Sequence, residues 1–117
     1  MAQSIIADKS KTFALDIISL YKLLTEGKKE YILSKQILRS GTSIGANVRE
    51  GIRGQSKADF ISKMSIALKE ADETMYWLEL LNESDYIDDI LFIDISSKCS
   101  ELIKMLVSIT KTASNNK

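Results

Sequence analysis

Five cations stand along one stretch of this chain, Lys35, Arg39, Arg49, Arg53 and Lys57, and they include all three of its arginines. Guanidinium and ammonium groups so placed permit a local basic patch able to meet phosphates, or the pairing of opposite faces between copies. Among them Ser43, Asn47 and Glu50 recur at helical spacing with Arg39 and Arg53 on one polar face. That face can meet water, satisfy a buried junction or touch a partner. If it lies in an interface, the Glu50 carboxylate needs charge or hydrogen bonds close by, and Arg53, Arg39 and Arg49 are the guanidinium donors the chain offers.

Catalytic chemistry is harder to assemble. There is no histidine, which removes the commonest general base, the triads built on it and the usual zinc and di-iron ligands of helical bundles. The remaining cluster is Glu50, Glu70 and Glu73, but a metal in a bundle takes Glu-x-x-His pairs that this chain lacks, so these carboxylates read as solvated or as intersubunit partners. Cys99 stands on an apolar stripe with Lys98 as its nearest base, the setting of a small core residue and not of a nucleophile. No catalytic residue, metal or cofactor is expected, and the chain reads as a non-enzyme.

The elements that must carry these residues follow from composition and period. With 117 residues, 44% hydrophobic, 27% charged and no proline, the chain reads as all-α. Apolar residues at steps of three and four predict one antiparallel up-down-up-down four-helix bundle over residues 1–117, with helices at about 4–25, 29–52, 57–81 and 88–110. Ser4 is the expected first cap, Gly27 the left-handed stop, and Glu30 the start of the second helix. GIRGQS breaks the chain before a Ser56/Asp59 capping box, Asn82 to Ile87 is a short connection, Asp88 caps the fourth helix, and the tail from Lys111 is expected to fray.

Gly41 and Gly45 lie inside the second helix, where each costs roughly 1 kcal/mol relative to alanine, so they mark the close passage of a neighbouring backbone. The helix is too polar for their GxxxG spacing to be a membrane motif. Trp77, Leu80 and Leu81 on the third helix, and Ile90, Ile93 and Ile103 on the fourth, widen the apolar arc beyond what a monomeric bundle needs, which predicts subunit contacts. The lone cysteine excludes an intramolecular disulfide, and no stretch reads as a signal peptide or a membrane span, so a soluble cytoplasmic protein without a membrane partner is expected.

Formal charge is zero but segregated: residues 1–63 carry eleven basic and six acidic side chains, residues 64–117 five and ten. From Glu70 to Asp94 there are nine acidic residues and no basic one. The asymmetry permits a local basic patch or the association of opposite faces.

The run SIGANVREG, followed by KADFISKMSIALKEADET and WLELL, resembles the small bacterial four-helix-bundle family named for proteins encoded in intervening sequences of 23S rRNA genes. The resemblance spans nearly the whole chain, and its most specific signal is S-I-x-x-N-x-x-E-G, matched by Ser43, Ile44, Asn47, Glu50 and Gly51, with Phe60, Ala67 and Ala71 following. That family is similar to the accessory proteins of diversity-generating retroelements, which implies a homopentameric barrel that brings RNA or nucleoprotein to a reverse transcriptase. Those relatives are strongly basic, whereas this chain is neutral. Two functions are therefore expected as alternatives: a non-catalytic homo-oligomer that binds structured RNA through Lys35, Arg39, Arg49, Arg53 and Lys57, or an oligomeric protein-interaction scaffold without nucleic acid.

Overall fold

The computed structural model describes residues 2–115 and the side chains from Ile5 to Asn115. Four helices occupy most of it: α1 (Ala2–Lys22), α2 (Leu33–Ile52), α3 (Lys57–Glu83) and α4 (Asp89–Asn115). They form an all-α antiparallel bundle, a rod of 48 × 21 × 20 Å with each helix packed on its neighbours in sequence and α4 closing back on α1. The core is the set the apolar period marks out, including Phe13 and Ile17 from α1, Ile37 and Val48 from α2, Leu78 from α3 and Leu102 from α4.

The glycines are where α1 and α2 meet. A Cβ on Gly41 would lie 2.8 Å from Ile17 Cγ1, and one on Gly45 3.3 Å from the Ser10 carbonyl oxygen. Gly51 does the same for α2 and α3, where a Cβ would stand 3.0 Å from that of Lys63. Close helix packing thus accounts for three of the four glycines in the central stretch.

Helix ends follow the expected chemistry in α3 and α4 and depart from it elsewhere. Ser56 Oγ accepts from the Asp59 amide at 3.0 Å, and Asp88 Oδ1 from the Leu91 amide at 2.8 Å. α1 is already helical at Ala2, ahead of Ser4, whose side chain lies outside the described ones. Gly27 does not take the left-handed conformation either: α1 runs into a π-helical turn over Leu23–Gly27, closed by Lys28 N–H donating to the Leu23 carbonyl at 3.2 Å, and the left-handed residue is Lys29, at φ 58°.

Glu30 precedes α2 and does not begin it. Its buried carboxylate accepts from the amides of Ile32 (3.2 Å), Leu33 (3.0 Å) and Ser34 (2.7 Å), while Ser34 Oγ donates back to the Glu30 carbonyl at 2.8 Å. A charged acceptor thus satisfies three amides that the helix start leaves without partners. The tail also differs: α4 stays helical to Asn115, with Thr110 donating to the Leu106 carbonyl at 2.9 Å and Ile109 and Ala113 half-buried.

Candidate interaction surface

α2 carries three of the five cations, but the helix spreads them. At 1.5 Å per residue Lys35 lies roughly 21 Å along the axis from Arg49, and it is exposed at the end where α2 begins. Arg49, Arg53 and Lys57 gather at the opposite end, where α2 turns into α3. All three are exposed, and among the described residues none forms an ion pair.

Arg39 is committed elsewhere. Its Nη1 lies 3.2 and 3.3 Å from the two Glu70 carboxylate oxygens, and its Nη2 pairs with Glu73, whose Oε2 also accepts from Trp77 Nε1 at 3.0 Å. The hydrogen bond from Trp77 outweighs burial and, with Arg39, holds the Glu73 carboxyl below the usual range; Glu73 and then Glu70 push the Arg39 guanidinium up. Arg39, expected as a phosphate contact, is in this structure a clamp between α2 and α3. Two of the three acids first noted as a possible catalytic cluster, Glu70 and Glu73, are its partners.

The S-I-x-x-N-x-x-E-G motif divides in the same way. Ile44 and Gly51 are buried at helix contacts. Ser43 Oγ donates to the Arg39 carbonyl at 2.6 Å and Asn47 Nδ2 to the Ser43 carbonyl at 2.8 Å, so both side chains satisfy the backbone of their own helix. Glu50 is exposed and pairs with Lys63 on α3 at 3.0 Å, not with an arginine. Its carboxylate needs no rescue within the protomer.

Among the described residues no group of three or more His, Cys, Asp or Glu side chains is placed to hold a metal ion. Burial, reinforced by Asp72, pushes the Cys99 thiol up to about 12, and its Sγ–H donates to the Ala71 carbonyl at 3.3 Å. Among the described residues no helix is long and apolar enough to cross a membrane.

The apolar surplus resolves unevenly. Leu81 is buried, and Trp77 and Ile103 pack half-buried against the core, so they are a generous core and not a free face. Ile90 and Ile93, at 82% and 64% exposure, stay in water. What sequence reasoning missed is the surface cleft between α1 and α2, lined by Ala7, Lys11, Ala14, Gly45, Ala46 and Arg49 among others. The signal was present, as small residues recurring on the outer side of both helices.

Comparison with solved structures finds a crystal structure of a protein with unknown function from the S23 ribosomal protein family of Bacteroides thetaiotaomicron, with 53% identity and a TM-score of 0.93, over 95% of this chain and 99% of that one. No curated protein matches. The family model of the 23S rRNA-intervening sequence proteins matches residues 2–108, and the chain belongs to that family.

Proposed function

We propose that the chain is a non-catalytic, self-associating four-helix scaffold of the cytoplasm. The observation that carries this is the exposure of Ile90 and Ile93 at the start of α4, beside Asp89 and Asp94, with Arg49, Arg53 and Lys57 exposed at the opposite end of the bundle. Apolar side chains left in water and complementary charge on separate faces suit repeated contacts between copies. A count of five rests on the resemblance to the pentameric retroelement accessory proteins. Sedimentation velocity over a dilution series tests the scaffold: the sedimentation coefficient should fall as copies separate. A constant value matching 13.1 kDa would end this reading.

A second reading is favoured by the free cations at the α2–α3 turn. Arg53 and Lys57, with Arg49 one turn back, form a small basic end that a ring would repeat, turning a weak contact with structured RNA into useful avidity. Recovery of the tagged protein from its own cells, with sequencing of bound RNA, tests it. In vitro, Arg53→Ala and Lys57→Ala should weaken binding and flatten its salt dependence. Failure to recover an enriched RNA would leave the scaffold without a nucleic-acid role.

A further inference from the structure

We infer that the cleft between α1 and α2 receives the first two turns of α4 from a second copy of this chain. The inference rests on the self-association reading and assigns the two faces that meet.

The cleft, of about 380 Å³, is walled by Ala7 and Ala14 from α1 and Thr42, Gly45 and Ala46 from α2. It lies where the two helices pass closely, since a Cβ on Gly45 would stand 3.3 Å from the Ser10 carbonyl oxygen. Lys11 and Arg49 line it as cations that form no ion pair among the described residues; the third charged group, Glu50, is already held by Lys63 at 3.0 Å. The result is a small-walled hole with two free positive charges.

The start of α4 is its counterpart. Ile90 and Ile93 stand one turn apart on the same face of the helix, and they are among the most exposed large apolar side chains described. Residues 85–94 hold four aspartates and no base. Asp88 is used as the α4 cap, and Asp89 accepts from Asn82 Nδ2 at 3.0 Å. Asp94 lies 3.7 Å from Lys98, a lysine bound more closely, at 3.1 Å, to Asp16. Two isoleucines flanked by Asp89 and Asp94 thus present apolar knobs and negative charge to a surface of small walls and unpaired cations.

Because hole and knob lie on different faces of one protomer, each copy offers both, and the contact is heterologous: it propagates from copy to copy and closes where the rotation allows. Polyanion binding in the cleft would engage Lys11 and Arg49 but leave Ile90 and Ile93 in water. A second copy accounts for both faces at once.

The test uses the full chain and light scattering at micromolar concentrations, with thermal melting as the folding control. Ala46→Trp fills the cleft from an exposed position and should lower the mass toward 13.1 kDa without lowering the melting point. Arg49→Asp and Asp94→Arg should each weaken self-association by roughly tenfold or more, and combining the two in one chain should restore it, because every reversed hole then meets a reversed knob. If Arg49→Asp loses association and the double variant does not regain it, α4 is not the occupant. If the wild type is multimeric and all three variants keep its mass, the faces are wrong while self-association stands. A wild type of 13.1 kDa throughout removes self-association and this contact together.

Discussion

The α2–α3 seam and the α1–α4 seam belong to the same bundle but are joined by different means. Between α2 and α3, Gly51 lets the helices close to contact, the hydroxyls of Ser40 and Thr74 meet at 2.9 Å in the interior, and Arg39 closes the outer edge on Glu70 and Glu73. Between α1 and α4 the helices stand apart over two clefts, of about 320 Å³ above Phe13 and Leu102 and about 210 Å³ beside Leu20 and Ile95. That gap is spanned by half-exposed pairs, Lys9 with Glu101 and Lys98 with Asp16, each at 3.1 Å. A short turn ties α2 to α3, whereas nothing covalent ties α1 to α4. The difference teaches that cohesion here lies in the sequence-adjacent seams, and that exposed lysine bridges contribute little where packing is loose.

The largest expected effect separates the seams by volume. Gly51→Leu places a branched side chain where a Cβ alone already meets Lys63, and should cost about 3 kcal/mol through overpacking. Thr12→Phe makes a comparable enlargement in the α1–α4 cleft, where there is room, and should change stability by less than about 0.5 kcal/mol. Urea midpoints of the two variants measure this. Equal losses would mean the seams do not differ in packing.

Thr74→Val comes next. It removes a buried hydroxyl that meets Ser40 and donates to the Glu70 carbonyl at 2.8 Å, and should cost roughly 1–2 kcal/mol by leaving Ser40 poorly paired. A fully stable variant would show that this hydroxyl pair contributes nothing.

How far the sequence reveals this can be judged from particular residues. The helices, their order and the caps at Ser56 and Asp88 were legible because period 3.6 and side-chain acceptors are local signals. The commitment of Arg39 was not: five cations look alike along a chain, and only the antiparallel register of α2 on α3 brings Glu70 and Glu73 to one of them. Nor was the left-handed Lys29, since Gly27 stands two residues earlier as the more obvious candidate. That choice depends on Glu30 reaching the amides of α2 while its own N–H donates to the Leu24 carbonyl at 2.9 Å.

Acidity should part the seams more gently. Burial alone would raise the Glu30 carboxyl, but the amides of Leu33, Ser34 and Ile32 outweigh it, and Glu73 is held low as described, so both carboxyls are depressed in the folded state. Their contribution is present above the unfolded value near pH ~4.5 and is lost as pH falls through the folded ones. Lys98 runs the other way: the hydrogen bond from its ammonium to Asp16 raises it against burial, so its contribution is full below pH ~10.5 and fades as pH rises beyond. Glu73→Gln should therefore flatten the acid limb of the stability profile, and Lys98→Met the alkaline limb. An unchanged acid limb in Glu73→Gln would remove the carboxylate from the clamp.

The smallest effect is expected from Lys9→Ala, at about 0–0.5 kcal/mol and erased by added salt. A loss above about 1 kcal/mol that persists in high salt would show that the α1–α4 seam depends on this bridge after all.

The most direct test of the scaffold is amide hydrogen exchange on the wild-type chain at low and high protein concentration. Association through the assigned faces predicts that exchange slows with concentration in two segments, residues 88–95 of α4 and residues 42–50 of α2, while the amides around Ser40 and Thr74 are slow at both. Exchange that is independent of concentration in both segments, or protection that rises elsewhere and not there, would contradict it.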